Sequence, residues 1–128
     1  MGRSSAIRVL AVGTLSTRVA YGIALLVVPA RVAGNRWLGP GARAPAAQVA
    51  LRGLGAREAG LHGLALAAYL SGRDARPLLA ASIAGDLVDI ASTTAARGGL
   101  PDGSAPATAA VAGGSALLTA AVAAGLSR

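Results

Sequence analysis

The chain has 128 residues, enough for one ordinary domain; 54% are hydrophobic and 13% charged, against roughly a quarter charged in a soluble domain. Its formal charge is +7, and the basic residues are all arginine, but no basic stripe is interleaved with aromatics, so nucleic acid is excluded as a partner. The lack of cysteine excludes thiol redox chemistry, disulfides and thiolate metal sites, and the single histidine, His62, argues against a histidine-based metal site.

Four apolar stretches follow one another, each long enough to cross a hydrocarbon core that needs ~20 helical residues. The first covers residues 9–28 and stops at Pro29. It is expected to be retained rather than cleaved as a signal peptide, because it is too long for such a segment and carries Arg18 in its middle. A connection follows, rich in turn formers around Gly39-Pro40-Gly41 and carrying Arg31, Arg36 and Arg43. Trp37 in this connection suits either an interfacial aromatic belt or a place packed under the loop, and Tyr69 suits the belt.

The second stretch covers residues 46–70, and the third residues 77–96, with Asp74 as the expected N-cap and Pro77 in the first turn. A turn at Arg97-Gly98-Gly99-Leu100-Pro101-Asp102-Gly103 leads to the fourth, residues 104–126, which holds no ionisable side chain. The runs show no period-2 alternation, and helices alone satisfy their backbone bonds within one segment in lipid. The expected fold is all-α, a four-helix transmembrane bundle in a single domain, multi-pass in the cell membrane. Arginines divide almost evenly between the two sides, with Arg3, Arg8, Arg73, Arg76 and Arg128 on the terminal side, so charge does not set the orientation.

Ionisable residues fall near the middle of three stretches: Arg18 in the first, Arg57 and Glu58 in the second, Asp86 and Asp89 in the third. Each costs ~2.5–3.5 kcal/mol at the helix centre on insertion scales, so such groups face inward and pair. Helical phase sharpens this. Ser82, Asp86, Asp89 and Thr93 form one stripe, as do Thr14, Arg18 and Tyr21, while Glu58 and His62 share a face with Gly55. The expected arrangement is a buried polar cluster of Arg18, Arg57, Glu58, His62, Asp86 and Asp89. Gly55, Gly60, Gly63 and Gly85 are expected to let backbones approach closely beside it.

Three segments, Arg18-Val19-Ala20-Tyr21-Gly22, Gly55-Ala56-Arg57-Glu58-Ala59-Gly60 and Gly85-Asp86-Leu87-Val88-Asp89, give the chain a resemblance to the DoxX-like superfamily. The layout is similar over nearly the whole chain, and closest to the short uncharacterised branches common in actinobacteria. The resemblance implies a four-helix membrane bundle with an interior arginine in the first helix, and implies no established activity. Better-known relatives include quinone-linked redox proteins, but no residue here points to a quinone.

Three functions remain open from the residues. The first is a non-enzymatic membrane protein, structural or an accessory subunit, whose charge cluster organises the helices. The second is a small transporter or proton-coupled carrier; small multidrug exporters centre on a glutamate in the first helix, where this chain has Arg18. The third is a membrane enzyme using the carboxylates and His62 on a lipid-soluble substrate. None requires a cofactor, and the expected partners are the bilayer and either a second copy or another membrane protein.

Overall fold

The computed structural model describes residues 2–126, in which helices account for nearly all regular structure and no strand is present among the described residues. Four long helices dominate: α1 (Arg3–Val27), α3 (Pro45–Leu70), α4 (Arg76–Ala95) and α5 (Ser104–Leu126). A short α2 (Pro29–Ala33) and two 3-10 turns, Gly39–Arg43 and Arg97–Gly99, fill the connections. Arg128, counted above on the terminal side, lies outside the described residues.

Prolines set several boundaries. The ring of Pro29 pulls Val28 out of helical geometry, to φ −131° and ψ 55°, so α1 ends there and α2 restarts with Pro29 in its first turn. Ala44 is extended for the same reason, and α3 starts at Pro45. At the other end of α3, Gly72 adopts a positive φ of 69°. Its N–H bonds to the Tyr69 carbonyl at 3.1 Å and that of Arg73 to the Ala68 carbonyl at 2.8 Å, the pairing that closes a helix through a left-handed residue.

Several expected details differ. The first helix begins at Arg3 rather than near residue 9, because charged residues at a helix end need only water, not a break in the helix. Asp74 is not the N-cap of α4; Ala75 holds that position. Asp74 instead binds Arg76 twice through Oδ1, accepting the backbone N–H at 3.0 Å and the Nε–H at 2.8 Å. Those contacts, side chain first, hold the Asp74 carboxyl below its ordinary range. Trp37 folds under its loop against the cluster of Leu25, Ala33, Ala42 and Leu51.

The long helices touch in sequence around a ring, most closely α1 on α3 and α4 on α5, with α3 meeting α4 and α1 meeting α5. Glycine makes the α1–α3 contact possible. A methyl group on Gly55 would stand 2.6 Å from the Gly22 carbonyl oxygen, so here backbone meets backbone. Gly60 and Gly63, expected to do the same, face open space, and Gly85 meets the Arg57 guanidinium rather than a backbone.

Apolar and polar residues are distributed inside out. Val9, Ile23, Val49, Leu64, Val111 and Leu117 are exposed, while Glu58, His62, Ser82 and Asp86 are buried. Two apolar clusters bracket the polar layer: Ala11, Leu15, Ala65, Leu79 and Val122 towards the termini, and Leu25, Ala33, Ala42 and Leu51 towards the loop that carries Trp37. Three helices, Ser5–Val27, Arg76–Ala95 and Ser104–Leu126, are long and apolar enough to cross a membrane. The fourth long helix, α3, is not in that set, since Gln48, Arg52, Arg57, Glu58 and His62 all lie on it.

Candidate functional site: a buried charge network

Arg18 stands at the centre of the polar layer. Its Nε donates to Glu58 Oε2 at 2.8 Å, and Nη2 lies 2.6 Å from the same oxygen. On the other edge, Nη1 donates to Asp86 Oδ2 at 3.0 Å and Nη2 to Asp86 Oδ1 at 2.9 Å, a fork-to-fork pair. Nη1 also donates to the Ser115 hydroxyl. One side chain of α1 thereby grips α3, α4 and α5 together, with an acceptor for every nitrogen of its fork. Both carboxylates are 2% exposed, which only such full pairing makes tolerable.

Each residue arrives there for a local reason. Arg18 lies one turn before Gly22, where α1 and α3 come into backbone contact, so its side chain is aimed across the thin side of α3 at Glu58. Asp86 shares the inward face of α4 with Ser82 and Thr93, all buried. Ser115 is the member that sequence reasoning missed. The available signal was the isolated pair Ser115 and Thr119, four apart in the otherwise apolar second half of α5.

His62, 1% exposed, extends the network by one turn of α3. Its Nδ1–H donates to the Glu58 main-chain carbonyl at 2.7 Å, which leaves Nε2 to accept the Ser82 hydroxyl proton, also at 2.7 Å. Thr119 is buried, and among the described residues its Oγ1 has no hydrogen-bond partner. Towards the loops, Trp37 Nε1–H donates to Thr93 Oγ1 at 3.1 Å, and the Trp37 carbonyl accepts the Ser104 hydroxyl at 2.7 Å.

Arg57 and Asp89 join the network only at its rim. Arg57 Nη2 is 3.4 Å from Glu58 Oε1 and 3.5 Å from Asp89 Oδ2. Their side chains are 42% and 26% exposed, against 11% for Arg18. Tyr21, on the Arg18 stripe, is exposed and makes no side-chain hydrogen bond among the described residues. Three carboxylates (Glu58, Asp86, Asp89) face two guanidiniums (Arg18, Arg57), so with His62 neutral and all acids ionised the layer carries one net negative charge. No group of His, Asp and Glu able to hold a metal ion is present among the described residues.

Two clefts lie elsewhere. One of about 740 Å³ opens among Ala30, Arg31, Asn35, Pro40 and Arg43 at the loop end, and one of about 340 Å³ among Tyr69, Arg73, Asp74 and Arg76 at the other. Neither reaches Arg18. Comparison with protein-family models, curated proteins and solved structures yields no match.

Proposed function

We propose that this chain is a multi-pass protein of the cell membrane, a four-helix transmembrane bundle in which Arg18 clasps the other three helices, and that it acts as a structural or accessory subunit. The observation that carries the reading is the saturation of the Arg18 fork by Glu58, Asp86 and Ser115. A centre whose donors and acceptors are spent on one another organises helices rather than binding a substrate. The crossing by α3 is part of the proposal. Its 26 residues measure about 39 Å, and of its polar groups Glu58 and His62 are buried and paired, whereas Arg52 and Arg57 are exposed. The reading also agrees with the DoxX-like resemblance, whose three segments contain Arg18, Glu58 and Asp86.

The charge balance supports a second reading, a proton-coupled carrier, because the unmatched carboxylate at the rim needs a proton or cation as counter-charge. Purified protein in liposomes loaded with a pH-sensitive dye separates the two. The structural reading expects no proton flux above empty vesicles under an imposed pH gradient. A flux that disappears in Asp89→Asn would replace it with the carrier.

A further inference from the structure

Arg57 is the group that the charge network leaves unfinished. Its Nη2 reaches two carboxylates at 3.4 and 3.5 Å, the far limit of hydrogen bonding, and among the described residues its Nε and Nη1 have no acceptor. Asp89 is the matching half, with a single cation at 3.5 Å. Both open outward on the seam between α3 and α4. Arg57 lies about 18 Å from the start of α3 and about 20 Å from its end, too deep for its head group to reach water. An ionised guanidinium with free donors does not face hydrocarbon there.

We propose that the α3–α4 seam is the contact face of a homodimer, in which Arg57 of each copy pairs with Asp89 of the other. The inference rests on the reading that α3 crosses the membrane. Charge complementarity selects the occupant. An anion would satisfy Arg57 and be repelled by Asp89, and a cation would do the reverse. A second copy related by a twofold axis along the membrane normal brings both partners at the same depth, since such an interface is self-complementary. The adjoining outer face of α3 is shaped for close approach. Gly53 and Gly60 have nothing within 4 Å of an added methyl, and Ala56 lies between them. Val49 and Leu64 flank this patch on α3 as Val111, Leu117 and Leu118 do on α5, which also carries an open glycine, Gly114; what α5 lacks is any ionisable side chain to pair across a contact.

The chain has no cysteine, so one introduced thiol is a clean reporter. Gly60→Cys in membranes, oxidised with copper phenanthroline, is expected to run mainly as a cross-linked dimer, with Leu118→Cys mainly monomeric. Native mass spectrometry of the unmodified protein should give twice the monomer mass. In a second arm, differently tagged Arg57→Asp and Asp89→Arg chains are expressed together. The mixed dimer has opposite charges at both contacts and each homodimer has like charges, so the mixed species should exceed either homodimer at least tenfold. Cross-linking of Gly60→Cys no stronger than that of Leu118→Cys, or a monomeric mass, overturns the proposal, and this arm decides even if the charge variants do not fold. A water-soluble maleimide separates the two readings. Protection of Gly60→Cys in a monomer refutes the dimer alone, whereas labelling in intact membranes removes the membrane crossing of α3 and the dimer with it.

Discussion

Arginine at position 18 is set by shape as well as charge. A planar fork presents one edge to Glu58 and the other to Asp86, whereas an ammonium offers three donors from one point. The pair also responds unequally to its losses. A carboxyl left alone can take up a proton, but arginine cannot shed one. Glu58→Gln with Asp86→Asn is therefore expected to cost ~3–5 kcal/mol, more than Arg18→Leu, and the triple variant to recover at least half of the loss. Thermal unfolding in detergent measures all three, and strictly additive losses would show that the groups do not interact. Thr119 gives the opposite expectation. Its buried hydroxyl has no partner among the described residues, so the isosteric Thr119→Val should raise stability by ~1 kcal/mol in the same assay. Destabilisation would mean that the hydroxyl has work to do. Arg18, Glu58 and Asp86 were legible as residues that must be buried together, because mid-helix charges leave few alternatives. The division of labour between Asp86 and Asp89 was not. The two stand roughly 60° apart on one stripe, and only the rotation of α4 against its neighbours decides which is buried.

Among elements, the α1–α3 contact is the tightest, and the glycines within it are not interchangeable with those outside. Gly55→Ala would drive a methyl to 2.6 Å from the Gly22 carbonyl oxygen and 2.9 Å from Leu25 Cβ, so the helices must part. The expected cost is ~1–3 kcal/mol, the usual penalty of overpacking. Gly60→Ala meets nothing within 4 Å and replaces a poor helix former, so in the monomer it should be neutral or stabilising by up to ~1 kcal/mol. Denaturant titration of both variants checks the pair, and equal effects would contradict the helix contact. Sequence alone placed Gly55, Gly60, Gly63 and Gly85 in one class. Composition reveals that a helix can be approached closely, but not from which side. The loop was still less legible. Pro29 reads as a stop, yet in the structure it stops one helix and starts the next, which tucks Trp37 inward.

For the whole molecule, the sequence reads as four crossings, and α3 is the one that falls short of the composition of a membrane span. Three helices qualify on composition, and α3 crosses only if Glu58, His62 and the half-exposed Arg57 are all relieved of their polarity by partners. Cysteines introduced at Ser5, Pro40, Asp74 and Asp102 test this in intact membranes. Four crossings put positions 5 and 74 on one side and 40 and 102 on the other. Labelling of 40 and 74 from the same side would leave α3 outside the hydrocarbon and dissolve the bundle.

The reach of Arg18 along the chain has a consequence for biogenesis. Its acceptors lie 40, 68 and 97 residues downstream, at Glu58, Asp86 and Ser115. While the ribosome is still making α3, α1 holds a bare guanidinium that opposes its release into lipid by ~2.5–3.5 kcal/mol. If α1 crosses the membrane as proposed, it is expected to stay beside the insertion machinery until Glu58 emerges, and chains truncated before Glu58 should be degraded faster in a pulse-chase than chains truncated after Ser115. On that reading, the residue that clasps the finished protein would also report, during synthesis, whether the rest has been made.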